Sequence, residues 1–318
     1  PPTPPAHLTM FRTVAVAALA ASAAALVAPR ASTRSTLRMA ASNPTFGAKI
    51  GGDTPVDWYL ENSDTGALAQ VKTFAAHCVS YIDQDGVQWM GKRSDYTDDG
   101  SKPIAGGVPI CFPQFGPGAL PQHGFVRGMQ CIPEERAKKL RFDRMYYKFL
   151  PTEETKRVWP YDFELRYQVT LFADCMEFDA QVINEDSKEM EITFGLHTYF
   201  DVTSLANAKV TGLSGAQTID RNMNNAPGTE MGDVVVTGPI DKMYQGVTSA
   251  TLEDTGKGKK MLVEGTKGFT DIVVWNPYDP SMGSDKFLCV EAVAASSPIR
   301  IAPGATHEFS MRLTPQKL

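Results

Sequence analysis

FELRYQVTL, from Phe163 to Leu171, is the stretch on which the fold turns. Phe163, Leu165, Tyr167, Val169 and Leu171 alternate with Glu164, Arg166, Gln168 and Thr170, the two-residue period of a strand with one buried face. A helix would space its apolar residues three and four apart instead. The same theme recurs in MEFDAQVIN (Met176–Asn184), MEITFGLHTYFDV (Met190–Val202), TDIVVWNPY (Thr270–Tyr278), KFLCVEAVA (Lys286–Ala294) and HEFSMRLTP (His307–Pro315). Gly and Pro together supply 48 of the 318 residues, more punctuation than a helical bundle tolerates. The one candidate for a short helix is PEERAKKL (Pro133–Leu140), with a loop as its alternative. No repeat, coiled coil or long linker interrupts the chain past residue 40. Residues 43–318 are therefore expected to form one all-β domain, a large antiparallel sandwich.

A hydrophobic content of 42% over this length is enough to bury a sizeable core, which excludes a disordered chain. The formal charge of −5 argues against a nucleic-acid partner, which would require a basic face. Five cysteines at irregular spacings form no CxxC pair and no disulfide framework, so they read as reduced thiols. The first 42 residues read as an address rather than as part of the fold. From Met10 the chain runs into VAVAALAASAAALVA (Val14–Ala28), an apolar run too short to span a bilayer. An Arg- and Ser/Thr-rich segment follows, and no Asp or Glu occurs before Asp53. This two-part pattern is similar to plastid presequences of algae with complex plastids; simple secretion and mitochondrial import are the alternatives. The mature form is expected to be acidic and to need no membrane.

Three features could carry chemistry. The densest is KPIAGGVPICFPQFGPGALPQHGFVRG (Lys102–Gly128), whose six glycines and five prolines exclude a helix or a central strand. It reads as an ordered loop anchored by Phe112, Phe115 and Phe125, in which Gln122, His123 and Arg127 offer donors to a sugar hydroxyl or a phosphate. Those groups could equally tie the loop to itself. The second feature is His197, on the opposite strand face from Ile192, Phe194 and Leu196. It fits either a satisfied core histidine or a proton donor, and no second ligand lies at metal-binding spacing beside it. The third is Glu291, a lone carboxyl in an apolar strand, where burial raises a carboxyl pKa toward that of a general base. An ion pair with Arg300 is the alternative. Asp241 (in a turn), Trp275 (core packing or a sugar platform) and the run Lys257–Lys260 (a solvated hairpin tip) are weaker candidates.

Taken in order, GGVPICFPQFG, PQHGFVR, FGLHTYF, IDKMY, VVWNPY and CVEA resemble the glucose-6-phosphate 1-epimerases of the aldose 1-epimerase superfamily. The resemblance spans about Gly51 to Pro315. It implies a galactose-mutarotase-like β-supersandwich with a sugar cleft on one face. It also implies a catalytic histidine at His197, a catalytic glutamate at Glu291, and substrate-binding positions at Gln122, Arg127 and Asp241, with His123 beside them. The substrate would be a hexose phosphate, with no cofactor, since no electron moves when anomers interconvert. One position departs from the pattern. The family usually places Arg before GGxP, where this chain has Ala105, and a lost charged hydrogen bond costs about 1.5–3 kcal/mol. Epimerisation of unphosphorylated sugars and non-catalytic sugar binding are therefore the rival readings. A glycosidase would need two carboxylates across a cleft, and the nearest second acid is Asp241.

Overall fold

The apolar alternation resolves into twenty strands in antiparallel ladders among the described residues. The computed structural model describes residues 57–318, so the presequence expected over 1–42 and the first residues of the domain lie outside the described residues. Phe163–Phe172 pairs with Met176–Asn184 on one side and Phe142–Phe149 on the other, as the third strand from one edge of a nine-stranded sheet. Phe163, Leu165, Tyr167, Val169 and Leu171 are all buried, and Phe172 at its end is half-buried.

A second sheet of eight strands stacks against the first. Its central strands are Ile240–Gln245, Asp271–Asn276, Phe287–Ile301 and Met190–Leu196, in that spatial order. Side chains from the facing surfaces form one core. Ile192, Phe194, Leu196, Ile272, Val274, Leu288, Val290 and Ala292 come from the eight-stranded sheet, and Val169, Phe178, Phe309 and Met311 from the nine-stranded one. A three-stranded sheet, Asp57–Glu61, Leu68–Lys72 and Cys78–Ile82, packs beside them. Fully buried Asp143 ties it to the nine-stranded sheet, accepting from Glu61 N at 3.0 Å and Arg136 Nε at 2.9 Å.

Two local expectations are corrected. PEERAKKL is not helical: Ile132–Lys139 is the edge strand of the nine-stranded sheet, paired with Phe142–Phe149. Its ladder shifts register between Pro133 and Arg136, which accommodates the missing proline N–H. Its charges are what an exposed edge uses against further strand addition. The one α-helix among the described residues is Glu153–Val158, closed by a reciprocal Thr152–Thr155 capping box. The Lys257–Lys260 run is not simply solvated. Lys257 Nζ donates to the carbonyls of Gln88 and Asp201 at 2.8 and 2.7 Å, and Lys259 is buried against Asp83 and Asp85.

The two large sheets meet where Phe194 stacks on Phe309, with ring centroids 4.3 Å apart and planes 14° apart. Removing one ring leaves a void between sheets whose backbones cannot close on it. Phe194→Ala is expected to lower the unfolding free energy by about 3–5 kcal/mol, read as a lower urea midpoint at unchanged m.

Candidate active site

Strand alternation gives the eight-stranded sheet a second face, turned away from the core, and the ladder register orders it into rows. Asp241, Trp275, Cys289 and Tyr199 lie side by side in one row, through the pairs Asp241↔Trp275, Trp275↔Cys289 and Tyr199↔Cys289. The next row runs Met243, Val273, Glu291. Leu196 opposes Ala292 and Tyr199 opposes Cys289, which sets His197 opposite Glu291. Glu291 is thus bracketed by Val273 on one side and His197 on the other, and Cys111, Phe115, Met243 and Val293 form an apolar cluster on the same face.

The glycine- and proline-rich loop forms the wall of this face. It is ordered as expected, although Ile110–Cys111 within it pairs as a short strand with Met190–Leu196. Thr193 N donates to Pro113 O and His197 N to Pro109 O, each at 3.0 Å, and Phe115 N donates to Thr193 Oγ1 at 2.7 Å. The Phe115 ring lies on Gly195, where a Cβ would come within 2.5 Å of it. Gly107 is equally constrained: its φ is +61° and a Cβ would sit 2.1 Å from Cys78 O. Beside it, His77 Nε2 donates to Gly106 O at 2.6 Å. His77 is fully buried, and burial pulls its pKa down to about 4.

His123 enters the site from this loop with φ +65°. Its Nδ1 accepts from Gly116 N at 3.2 Å, which leaves the ring proton on Nε2. Burial, with help from Arg127 and Arg221, lowers its pKa to about 3, so it is a neutral donor. Its ring meets that of His197 edge to face, 5.1 Å between centroids. His197 in turn stacks on Tyr199 at 4.8 Å and meets Trp275 edge-on at 5.5 Å. Trp275 therefore packs and lines the site at once.

His197 Nδ1 and Glu291 Oε1 face each other at 3.4 Å, too far for a good hydrogen bond. His197 Nδ1 and Glu291 Oε2 are both buried without a hydrogen-bond partner. Burial drives the Glu291 carboxyl well above its ordinary range, with Arg221 opposing and Asp241 adding to the shift. Burial drives the His197 imidazolium well below its range, reinforced by His123, Arg127 and Arg221. A neutral acid facing a neutral imidazole holds the same single proton as a carboxylate facing an imidazolium. The pair can therefore exchange a proton without taking on net charge.

The fold thus gathers His197, Glu291, His123 and Asp241, while Gln122 and Arg127 lie on the more open rim. Arg127 Nη2 donates to Gln122 O at 2.8 Å. Asp241 sits in a strand rather than capping a turn, and accepts from Arg221 Nη1 at 3.1 Å. Arg300, the alternative partner for Glu291, reaches Glu191 and Glu189 instead. Arg221, Cys289 and His77 also belong to this region. Cys289 was recoverable from sequence, since it lies two residues before Glu291 and must share its face. Arg221 lies in a polar turn and His77 in a run of apolar residues, and neither position carries a local signal.

A buried imidazole–carboxyl pair on one face of an all-β sandwich, with Arg221 and Arg127 nearby, is equipped for acid–base chemistry, and sequence comparison places the chain in a family. The aldose 1-epimerase family pattern matches residues 59–314, and the chain belongs to that family. A Cenchrus ciliaris protein named "Putative glucose-6-phosphate 1-epimerase" is 30% identical over 74% of this chain and 78% of its own length. An Escherichia coli protein of the same name is 29% identical over 71% of this chain and 79% of its own. Among solved structures, a "putative mutarotase" from Salmonella typhimurium superposes with a TM-score of 0.76 at 23% identity, over 84% of this chain and 92% of that one.

The buried histidines make stability depend on pH. The folded-state pKa of His77, about 4, lies below the 6.5 of an exposed histidine, so the unfolded chain takes up a proton before the folded one does. Its contribution is intact above pH 6.5 and is lost as pH falls toward 4. His77→Gln keeps a donor for Gly106 O but removes the titration. Urea unfolding measured across that window should give a shallower loss of stability in the variant than in the parent.

Proposed function

We propose that this protein is a glucose-6-phosphate 1-epimerase, interconverting the α and β anomers of hexose 6-phosphates by acid–base ring opening and closure. The observation that carries the reading is the buried, mutually facing and otherwise unsatisfied pair His197–Glu291. Anomer exchange requires a proton to leave the C1 hydroxyl and another to arrive at the ring oxygen. Both oxygens are bonded to C1, so two groups in contact with each other can serve both. Glu291 takes the proton from O1, and protonated His197 gives one to O5. The ring opens to the aldehyde, the C1–C2 bond rotates, and reclosure reverses the roles. Substrate hydroxyls supply the hydrogen bonds that the pair lacks, and Arg221 favours the carboxylate form. His123, fixed as an Nε2–H donor, suits a sugar oxygen.

The preference for a phosphorylated sugar is supported by the names of the relatives and by the cations around the face. Ala105 removes one guanidinium from the family pattern, but Arg93 stands next to that place: its N–H donates to Ala105 O at 3.0 Å. Asp95 clamps the Arg93 side chain through two hydrogen bonds, at 2.9 and 3.1 Å. Arg93 and Arg127 are the handles for the phosphate in this reading. Ala105 itself favours a second reading, an epimerase of unphosphorylated sugars.

Anomerisation of α-glucose 6-phosphate, followed through a β-specific dehydrogenase, tests the proposal, with free glucose and galactose followed by polarimetry. A strong preference for the phosphate is expected; equal or better rates on free sugars would replace the proposal with the second reading. Glu291→Gln and His197→Asn should each lower turnover by about 10²-fold or more with the fold retained, and a folded Glu291→Gln protein of normal turnover would sink the mechanism. Arg93→Ala and Arg127→Ala should raise KM for the phosphate by about tenfold or more each, with little change toward free glucose.

A further inference from the structure

Cys289 changes what the His197–Glu291 pair can bind. Its Sγ, one His197 ring nitrogen and one Glu291 oxygen all lie within 4.8 Å of one another, and all three residues are buried. Strand alternation puts Cys289 and Glu291 on the same face of Phe287–Ile301, and the ladder brings His197 alongside. The 3.4 Å between His197 Nδ1 and Glu291 Oε1 is long for a hydrogen bond. It matches the edge between two ligands of one tetrahedral ion, which for nitrogen and oxygen at about 2.0–2.2 Å from the metal is about 3.3–3.5 Å. His197 Nδ1 and Glu291 Oε2 have no hydrogen-bond partner, so neither atom is committed elsewhere.

We infer that the His197–Cys289–Glu291 cluster is a binding site for a thiophilic divalent cation of the zinc class, and that occupation of the site switches epimerisation off. A thiol, an imidazole and a carboxyl are a mixed sulfur, nitrogen and oxygen set, which selects zinc over magnesium or calcium. Thiolate and carboxylate together neutralise a doubly charged ion. The protons of the thiol and the carboxylic acid leave for solvent as the two metal bonds form, and no electron is transferred. An ion held there occupies both groups that would handle the O1 and O5 protons. The inhibition rests on the proposed function; the binding does not.

Cobalt chloride and zinc chloride added separately to the metal-free, reduced chain test both parts. Cobalt should produce a thiolate-to-cobalt charge-transfer band in the near ultraviolet together with visible bands of a four-coordinate ion, and zinc should bleach them. Cys289→Ser should abolish the charge-transfer band and weaken zinc binding by about tenfold or more, since even losing a supporting partner of a ligand costs that much. Cys175→Ser, a half-buried thiol elsewhere, should leave the band unchanged. In an anomerase assay zinc should inhibit the parent, chelator should restore it, and the zinc concentration for half-inhibition, measured against each protein's own zinc-free rate, should rise about tenfold or more in Cys289→Ser. No band with the parent, or a band that survives Cys289→Ser and is lost with Cys175→Ser, overturns the site. Cobalt binding at Cys289 without zinc inhibition of an active enzyme overturns the switch. If no sugar is epimerised at all, the spectroscopic result still decides the binding, and only the proposed function fails. Should Cys289→Ser not fold, as judged by circular dichroism, Cys289→Ala carries the same comparison.

Discussion

The 3.4 Å approach of His197 to Glu291 across a strand pair is the constraint around which this side of the molecule is organised. A carboxyl with relative exposure of 1% and an imidazole at 8% would each cost several kcal/mol if charged and alone. Facing each other, they can stay neutral and keep one proton between them. Neither is satisfied by the surrounding protein, so the energy of completing their hydrogen bonds is left for a ligand to supply. Their neighbours are consistent with that state. Aromatic rings of Tyr199, Trp275 and His123 exclude water from the imidazole, while Arg221 and Asp241 act on the carboxyl from one side with opposite signs.

Such a pair needs rigid support, and the eight-stranded sheet provides it by dividing its two faces. One face is core, fixed to the opposite sheet through contacts such as Phe194 on Phe309. The other carries the polar groups in rows set by the register. A slip of one residue in the Phe287–Ile301 strand would send Glu291 into the core and Val290 into the site, so the register is enforced by the cost of that exchange. The loop wall is fixed in the same manner. Backbone bonds from Thr193 and His197 reach Pro113 and Pro109, and the Phe115 ring rests where Gly195 has no side chain.

The strand assignments and both members of the central pair could be read from sequence, because period-two alternation reports which face each residue occupies. His197 and Glu291 stood out by being polar in strands whose neighbours are apolar. Other readings failed where the deciding partner is distant in sequence. Pro133–Leu140 has the composition of a helix, but pairing with Phe142–Phe149 and the contact of Arg136 with Asp143 hold it extended. Lys257 and Lys259 look like a solvated tip, yet the backbone around Gln88 and Asp201 and the carboxylates of Asp83 and Asp85 take them out of water. Arg221 gives no sign of its role until Asp241, on another strand, comes beside it.

The sequence by itself determined the all-β class, the inward and outward faces of each long strand, the ordered glycine–proline loop and the family resemblance. All of these depend on spacing within a segment or on the order of segments along the chain. The tertiary structure decided which strands are neighbours and in what register. Those two facts set His197 against Glu291 with Cys289 beside them, leave Arg93 next to Ala105, and make His123 a neutral donor. The physical reason is that burial and electrostatics act through space, between groups as far apart in sequence as Asp83 and Lys259, and no local pattern encodes their distances.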